Sequence, residues 1–353
     1  MRLWLVTLWA LVLLMVMVGG ITRLTGSGLS IVEWKPVSGA LPPLDAGAWQ
    51  REFAAYRASP LFVHQNGWMT LDDFKRIFFW EFVHRLLGRA IGLITFLPWL
   101  YFVARRTLTG RAAWRTFSIV LLGGLQGVLG WWMVKSGLVN EPRVSHYRLA
   151  AHLVLGIGVG QFILWQALAF IPGPSPIARR PSAGLRAAVW LLVPALLVQV
   201  IYGAFMAGTH AGLVAATFPD MNGSYLPGRF FAAGPLSRNL LDNPLSIHYL
   251  HRAIAFAIVL YAGVLLFALR REAAEVRAVA LFFLLATLGQ GALGALTVVL
   301  HVPVGVAVAH QGGAYVLCSA ALLLLHAVVQ PRTLTAQPRA RAHRSSPESV
   351  PAS

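Results

Sequence analysis

Gln126-Gly127-Val128-Leu129-Gly130 lies in the third long apolar run of the chain, and Gln290-Gly291-Ala292-Leu293-Gly294 lies in the seventh. Four of the five positions agree. The second and sixth runs both carry a His-Arg pair near one end, His84-Arg85 and His251-Arg252. Residues 19–29, closing the first run, can be laid over 203–213, closing the fifth, with Gly28-Leu29 on Gly212-Leu213. The fourth and eighth runs each bring one histidine a few residues after they begin, His152 and His310. Each match is weak alone, but all fall in the same order, which is the mark of a duplicated four-helix unit. Two copies with an even number of helices share one orientation, so the axis relating them runs along the membrane normal.

The runs themselves set the solvent. At least 18 consecutive, mainly apolar residues are needed to cross a bilayer as a helix, and eight such runs occur, at about 3–20, 78–103, 117–134, 147–171, 185–207, 247–269, 276–300 and 304–329. The expected fold is an all-α polytopic membrane protein of eight transmembrane helices, arranged as two pseudo-symmetric four-helix bundles, 1–175 and 176–330. Residues 331–353, rich in Pro, Ser and Arg, read as a disordered cytoplasmic tail. The first run leads into Gly19-Gly20 without a small-residue cleavage site and reads as a retained helix.

Composition agrees. The 353 residues are 57% hydrophobic and only 12% charged, with a net charge of +17. Soluble globular chains are typically about a quarter charged, so disorder, a disulfide scaffold and an ordinary cytosolic enzyme are excluded. The basic residues sort by topology. Arg2, the Arg105/Arg106/Arg111/Arg115 loop, the Arg179/Arg180/Arg186 loop, the Arg270/Arg271/Arg277 loop and the arginines of the tail all fall on one side. Cationic connections stay cytoplasmic, which places both termini there and points to a bacterial inner membrane. A nucleic-acid partner is not needed to explain the charge. The long connections 21–77 and 208–246 lie outside, with Trp34, Trp49 and Trp68 suited to the membrane interface.

All even-numbered helices enter from the outer side. Counting from their estimated starts puts His84, His152, His251 and His310 at one depth, roughly 5–10 Å below that surface. In each half one histidine comes from the second helix and one from the fourth. Two imidazoles on facing helices meet the need of a six-coordinate haem iron, whose porphyrin leaves one axial position on each face. A lone membrane histidine is more often a structural hydrogen-bonder, and the duplicated pair at matched depth is what favours ligation. His248, three residues before His251 and on nearly the same face, competes with it. Arg85 and Arg252 have two readings, as helix-end charges reaching the interface or as partners for haem propionates. Glu81, three residues before His84, reads either as a first-turn acid at a helix N-terminus or as a proton acceptor beside a substrate.

These residues resemble a known family, the haem A synthases of cytochrome oxidase assembly. The resemblance rests on Gly19-Gly20-Ile21-Thr22-Arg23-Leu24-Thr25-Gly26-Ser27-Gly28-Leu29-Ser30-Ile31, followed by Trp34-Lys35-Pro36, Gly39 and Pro42-Pro43. It continues in Glu81-Phe82-Val83-His84-Arg85, Gly88-Arg89, Ala211-Gly212-Leu213, Thr217-Phe218-Pro219-Asp220-Met221, His251-Arg252 and Ala309-His310-Gln311. It implies eight helices in two bundles and oxidation of a methyl substituent of haem O to a formyl group, through successive hydroxylations and loss of water from a geminal diol. It also implies a haem B cofactor held by the iron ligands His251 and His310 with Arg252 beside them. The amino-terminal bundle then receives haem O between His84 and His152, with Arg85 nearby and Glu81 as the essential acid. Haem O synthase and the oxidase assembly machinery are the partners implied; the electron donor is not written in the sequence. The outer-loop cysteine pair of some bacterial members is missing, and the single Cys318 lies in the eighth run. That places the chain with the subgroup lacking the pair. A di-haem electron-transfer subunit without methyl-oxidising activity would use the same four histidines but has no need of Glu81. A transporter of parallel repeats would use them as proton or metal sites. Gly123/Gly127 and Gly156/Gly160 have the spacing for close helix approach, either within a bundle or between protomers of a homo-oligomer.

Overall fold

A computed structural model describes residues 1–35, 38–139, 142–170, 181–228 and 234–329. Pro36, Arg179, Arg180 and the tail 331–353 lie outside the described residues. Eight helical segments long and apolar enough to span a bilayer are present among those described. They are α1 (Arg2–Leu24), α3 (Leu71–Ala104), α4 (Gly110–Lys135), α5 (His146–Leu168), the pair α6 (Ala183–Trp190) and α7 (Leu192–Gly208), α9 (Pro244–Ala268), α10 (Ala274–Val299) and α11 (Val304–Val329). The outer connections add the short helices α2 (Ala46–Arg57) and α8 (Leu236–Leu241).

Local chemistry explains the ends. Thr70 and Asp73 form a reciprocal capping box that starts α3 at Leu71, seven residues before the apolar run begins. His84 is therefore 13 residues into its helix, against six or seven for His152, His251 and His310. Depth counted from helix starts does not match for the four; α3 simply projects about two turns further outward. Asn243 caps α9 ahead of Pro244 at its first position, where a missing N–H costs nothing. The fifth span is interrupted at Leu191. Pro194 has no N–H for the Trp190 carbonyl, which is the cause of such a break. The equivalent stretch of α1 runs on without one.

In the first half α1 packs on α3 and α5, and α4 closes the ring between α3 and α5. In the second half α7 packs on α9, α9 on α10, α10 on α11, and α11 returns to α6 and α7. The halves meet mainly along α1 against α11 and α5 against α7, and α5 also touches α11. Half of the apolar window of α11 is buried inside the protein, against 6% for α3 and α4, so α1, α5 and α11 are central and α3 and α4 face outward. Large side chains such as Leu93, Leu125, Leu260 and Leu285 stand exposed, a surface that only lipid or another apolar partner covers.

The α1–α11 seam carries polar bonds at membrane depth. Tyr315 Oη donates to the Trp9 carbonyl at 2.9 Å, Trp9 Nε1 to Ser319 Oγ at 3.2 Å, and Ser319 Oγ to Gln161 Oε1 on α5 at 3.0 Å. Gln311 Nε2 donates to the Val16 carbonyl at 2.7 Å. A Cβ on Gly160 would run into the Tyr315 ring, so Gly156 and Gly160 serve packing inside the chain. A Cβ at Gly123 or Gly127 would meet open space.

Candidate functional site

Each of the four histidines rests against a glycine of a neighbouring helix. A Cβ added to Gly19 would lie 3.2 Å from His84, one on Gly130 3.0 Å from His152, one on Gly203 3.3 Å from His251, and one on Gly294 3.0 Å from His310. Those contacts are tighter than ordinary packing, so glycine at each place leaves room for a ring. The repeated Gln-Gly-x-Leu-Gly string supplies two of these seats together with a glutamine one turn earlier. Gln126 Nε2 donates to the His152 carbonyl at 2.9 Å and lies 3.2 Å from its Nδ1. Gln290 Nε2 donates to the His310 carbonyl at 2.9 Å and lies 3.1 Å from its Nδ1.

In the second half the rings of His251 and His310 face one another with centres 6.4 Å apart and planes at 80°. Two imidazoles bound through nitrogen to one atom, each bond about 2.0 Å long, put their ring centres about 6.3 Å apart. The separation of the pair matches that spacing. Among the described residues no three His, Cys, Asp or Glu side chains form a cluster suited to a metal ion, so a haem, which brings four ligands of its own, suits these two imidazoles. The competitor His248 is fully buried, and its Nε2 accepts from Arg252 Nε at 2.9 Å. It is His251 that the fold sets opposite His310.

Glu81 is buried and saturated. Its Oε2 accepts from the Ser30 amide at 2.8 Å, the Ser30 hydroxyl at 2.7 Å and the Ile31 amide at 2.9 Å, while Oε1 takes Arg85 at 2.7 Å. Glu81 thus ties the first outer loop to α3. Arg85 also donates to the carbonyls of Ile31 at 2.8 Å and Glu33 at 3.1 Å. Arg252 does the same in the second half, donating to Ala215 at 3.2 Å and Asp220 at 2.7 Å. Both arginines clamp an outer loop, a role that neither snorkelling nor propionate binding anticipates. His248 occupies in α9 the place that Glu81 holds in α3, three residues before the repeated histidine and four before the arginine.

A cavity of about 310 Å³ opens on the outer side of α3, between Arg85, Arg89, Phe82, Lys35 and Arg51. Lys35 bridges Glu33 at 2.6 Å and Glu52 at 2.9 Å on its wall, and these hydrogen bonds raise its pKa above the ordinary lysine value. Sequence reasoning missed Gln199, whose Nε2 lies 3.4 Å from His251 Nε2. The repeat offers no signal for it, because the matching residue of α1 is Met15.

The profile of the family described as "Cytochrome oxidase assembly protein" matches residues 2–322. The chain belongs to this family. A relative named "Heme A synthase" from Parvibaculum lavamentivorans is 43% identical over 323 residues, covering 92% of each chain. One of the same name from Azorhizobium caulinodans is 45% identical over 326 residues, 91% of this chain and 92% of its own. A third from Wolbachia pipientis is 37% identical over 322 residues, 91% of each. Haem A synthase relatives thus align along nearly the whole length, through both outer loops and both histidine pairs.

Proposed function

We propose that the chain is a haem A synthase, oxidising a methyl group of haem O to a formyl group to give haem A for terminal oxidases. The observation that carries this reading is the His251–His310 pair, with ring centres 6.4 Å apart, in a chain whose relatives of that name match it over about nine-tenths of its length. The second half, 176–330, holds haem B on His251 and His310, and a bound haem there supplies one-electron redox chemistry to the site. The first half, 1–175, takes haem O as substrate between His84 and His152. Among the described residues Arg85 and Arg252 each engage three of their five N–H donors, and the propionate reading of both rests on the other two. Glu81 is the essential acid: with Arg85 it holds the loop of Ser30 and Ile31 over the substrate half, excluding water and orienting the substrate edge. The protein lies in the inner membrane with cytoplasmic termini, receiving haem O from its synthase and passing haem A to oxidase assembly.

Haem extraction and chromatography from cells that make haem O, with and without this protein, tests the reading. A formyl haem that appears only with the protein is the expected result. Its absence, with haem B still bound, would leave a di-haem electron-transfer subunit instead.

A further inference from the structure

We infer that Gln126 and Gln290 are positioning residues that fix which ring nitrogen His152 and His310 offer to iron; this rests on the functional reading above. The repeated string puts a glutamine and a glycine four residues apart, hence on one helix face, and the histidine of the next helix lies between them. In both halves the amide is anchored at the same point, Nε2 to the histidine carbonyl at 2.9 Å. In both halves its Oε1 is buried without a hydrogen-bond partner among the described residues. Two orphaned acceptors at equivalent places are expensive, and each belongs to an amide whose Nε2 lies within 3.2 Å of an imidazole Nδ1.

An imidazole that gives its Nε2 lone pair to a metal keeps a proton on Nδ1, and metal-bound histidines donate that proton to an oxygen. Here the glutamine Nε2, itself a donor, stands 3.1 Å from Nδ1 of His310. That arrangement suits a ring whose Nδ1 is the acceptor. A small shift that keeps Nε2 on the histidine carbonyl and sets the unpartnered Oε1 of the same amide against Nδ1–H would hold the ring with Nε2 free for iron. Glycine at 130 and 294, where a Cβ would press on Cε1 at 3.0 Å, lets the ring sit close against the helix that carries the glutamine. The string that marks the repeat is on this account a histidine cradle, one in each half.

The test uses the full-length protein purified with its haem. Gln290→Glu gives Nδ1–H a stronger acceptor and makes the ring a stronger electron donor; the expected result is a lower haem midpoint potential with haem content unchanged. Gln290→Leu removes the acceptor and is expected to raise the potential and alter the low-spin electron paramagnetic resonance signal. Gln126→Leu is expected to leave the resident haem's potential where it was. Parental potential and resonance in both Gln290 variants would overturn the inference. If Gln290→Leu does not retain haem, Gln290→Glu, which keeps the size of the side chain, decides the matter alone. A parent protein that carries no haem would instead overturn the functional reading beneath it.

Discussion

The His251 ring stands nearly perpendicular to the His310 ring, 80° apart at 6.4 Å between centres. Perpendicular axial imidazoles give low-spin ferric haem a strongly anisotropic resonance, whereas coplanar rings give a compact rhombic one. The purified protein should show the anisotropic form. His251→Ala or His310→Ala should lose most of the bound haem B, read as haem per protein. A rhombic signal would mean that binding turns one ring.

His248→Phe should leave the low-spin spectrum in place, because His248 bonds Arg252 rather than facing His310. Its cost should fall on the outer loop of Ala215 and Asp220, whose carbonyls Arg252 holds. Faster amide exchange around 211–224 with unchanged haem content is the expected pattern. Loss of the low-spin bands would make His248 a ligand after all.

Glu81→Ala should abolish haem A formation while haem B stays bound. It takes one acceptor from the part-buried Arg85 guanidinium and the carboxylate acceptor from two loop amides; breaking a fully buried pair typically costs about 3–5 kcal/mol, an upper bound here. Hydrogen exchange at Ser30 and Ile31 should accelerate in step with the activity loss. Glu81→Gln keeps acceptor oxygen for part of the loop and should slow exchange relative to Ala. Full activity in Glu81→Ala would remove the acid from the mechanism.

Gly160→Leu places a side chain where the Tyr315 ring already sits and should destabilise the seam by about 1–3 kcal/mol. Lower yield and a lower melting temperature are expected, partly recovered by Tyr315→Ala. Gly123→Leu, opposite open space, should be close to neutral in the single chain; a change in its oligomeric state would place α4 at a protomer contact.

The Lys35 bridge gives a pH dependence with a definite sign. Its pKa is raised by the hydrogen bonds it donates to Glu33 and Glu52, so the folded state holds the proton more tightly than the unfolded chain. That stabilisation is complete below the unfolded value of about 10.4 and is lost as pH rises through the higher folded value. Lys35 is 41% exposed, so the effect is at most about 1 kcal/mol. The melting difference between the parent and Lys35→Met should be constant up to about pH 10 and close above it.

The spans were legible because apolar length sets the helices, and the repeated strings single out His84, His152, His251 and His310 from eleven histidines, two of which, His251 and His310, the structure sets ring against ring. What Glu81, Arg85 and Arg252 touch was not legible. Besides the i,i+4 pairs Glu81–Arg85 and His248–Arg252 and the Ser30 hydroxyl, their partners are main-chain groups of loops 50 or more residues away in the chain, or 30 or more in the second half, and a main-chain group carries no side-chain signature. Gln199 escaped for the opposite reason, since it departs from the repeat. The break at Leu191 was written in Pro194, but hydropathy averages over it.

Two identical units facing each other would build the same contact twice, each first helix meeting the other unit's last. The seams here have parted company. The α1–α11 contact is latched by Tyr315, Ser319 and Gln311, while α5 meets α7 through an apolar group of Ala150, Ala204 and Phe205. A symmetric dimer can only change both contacts at once. Joined in one chain, each seam accepts its own substitutions, so one face can stay locked while the other drifts, and neither half can any longer trade places with its twin.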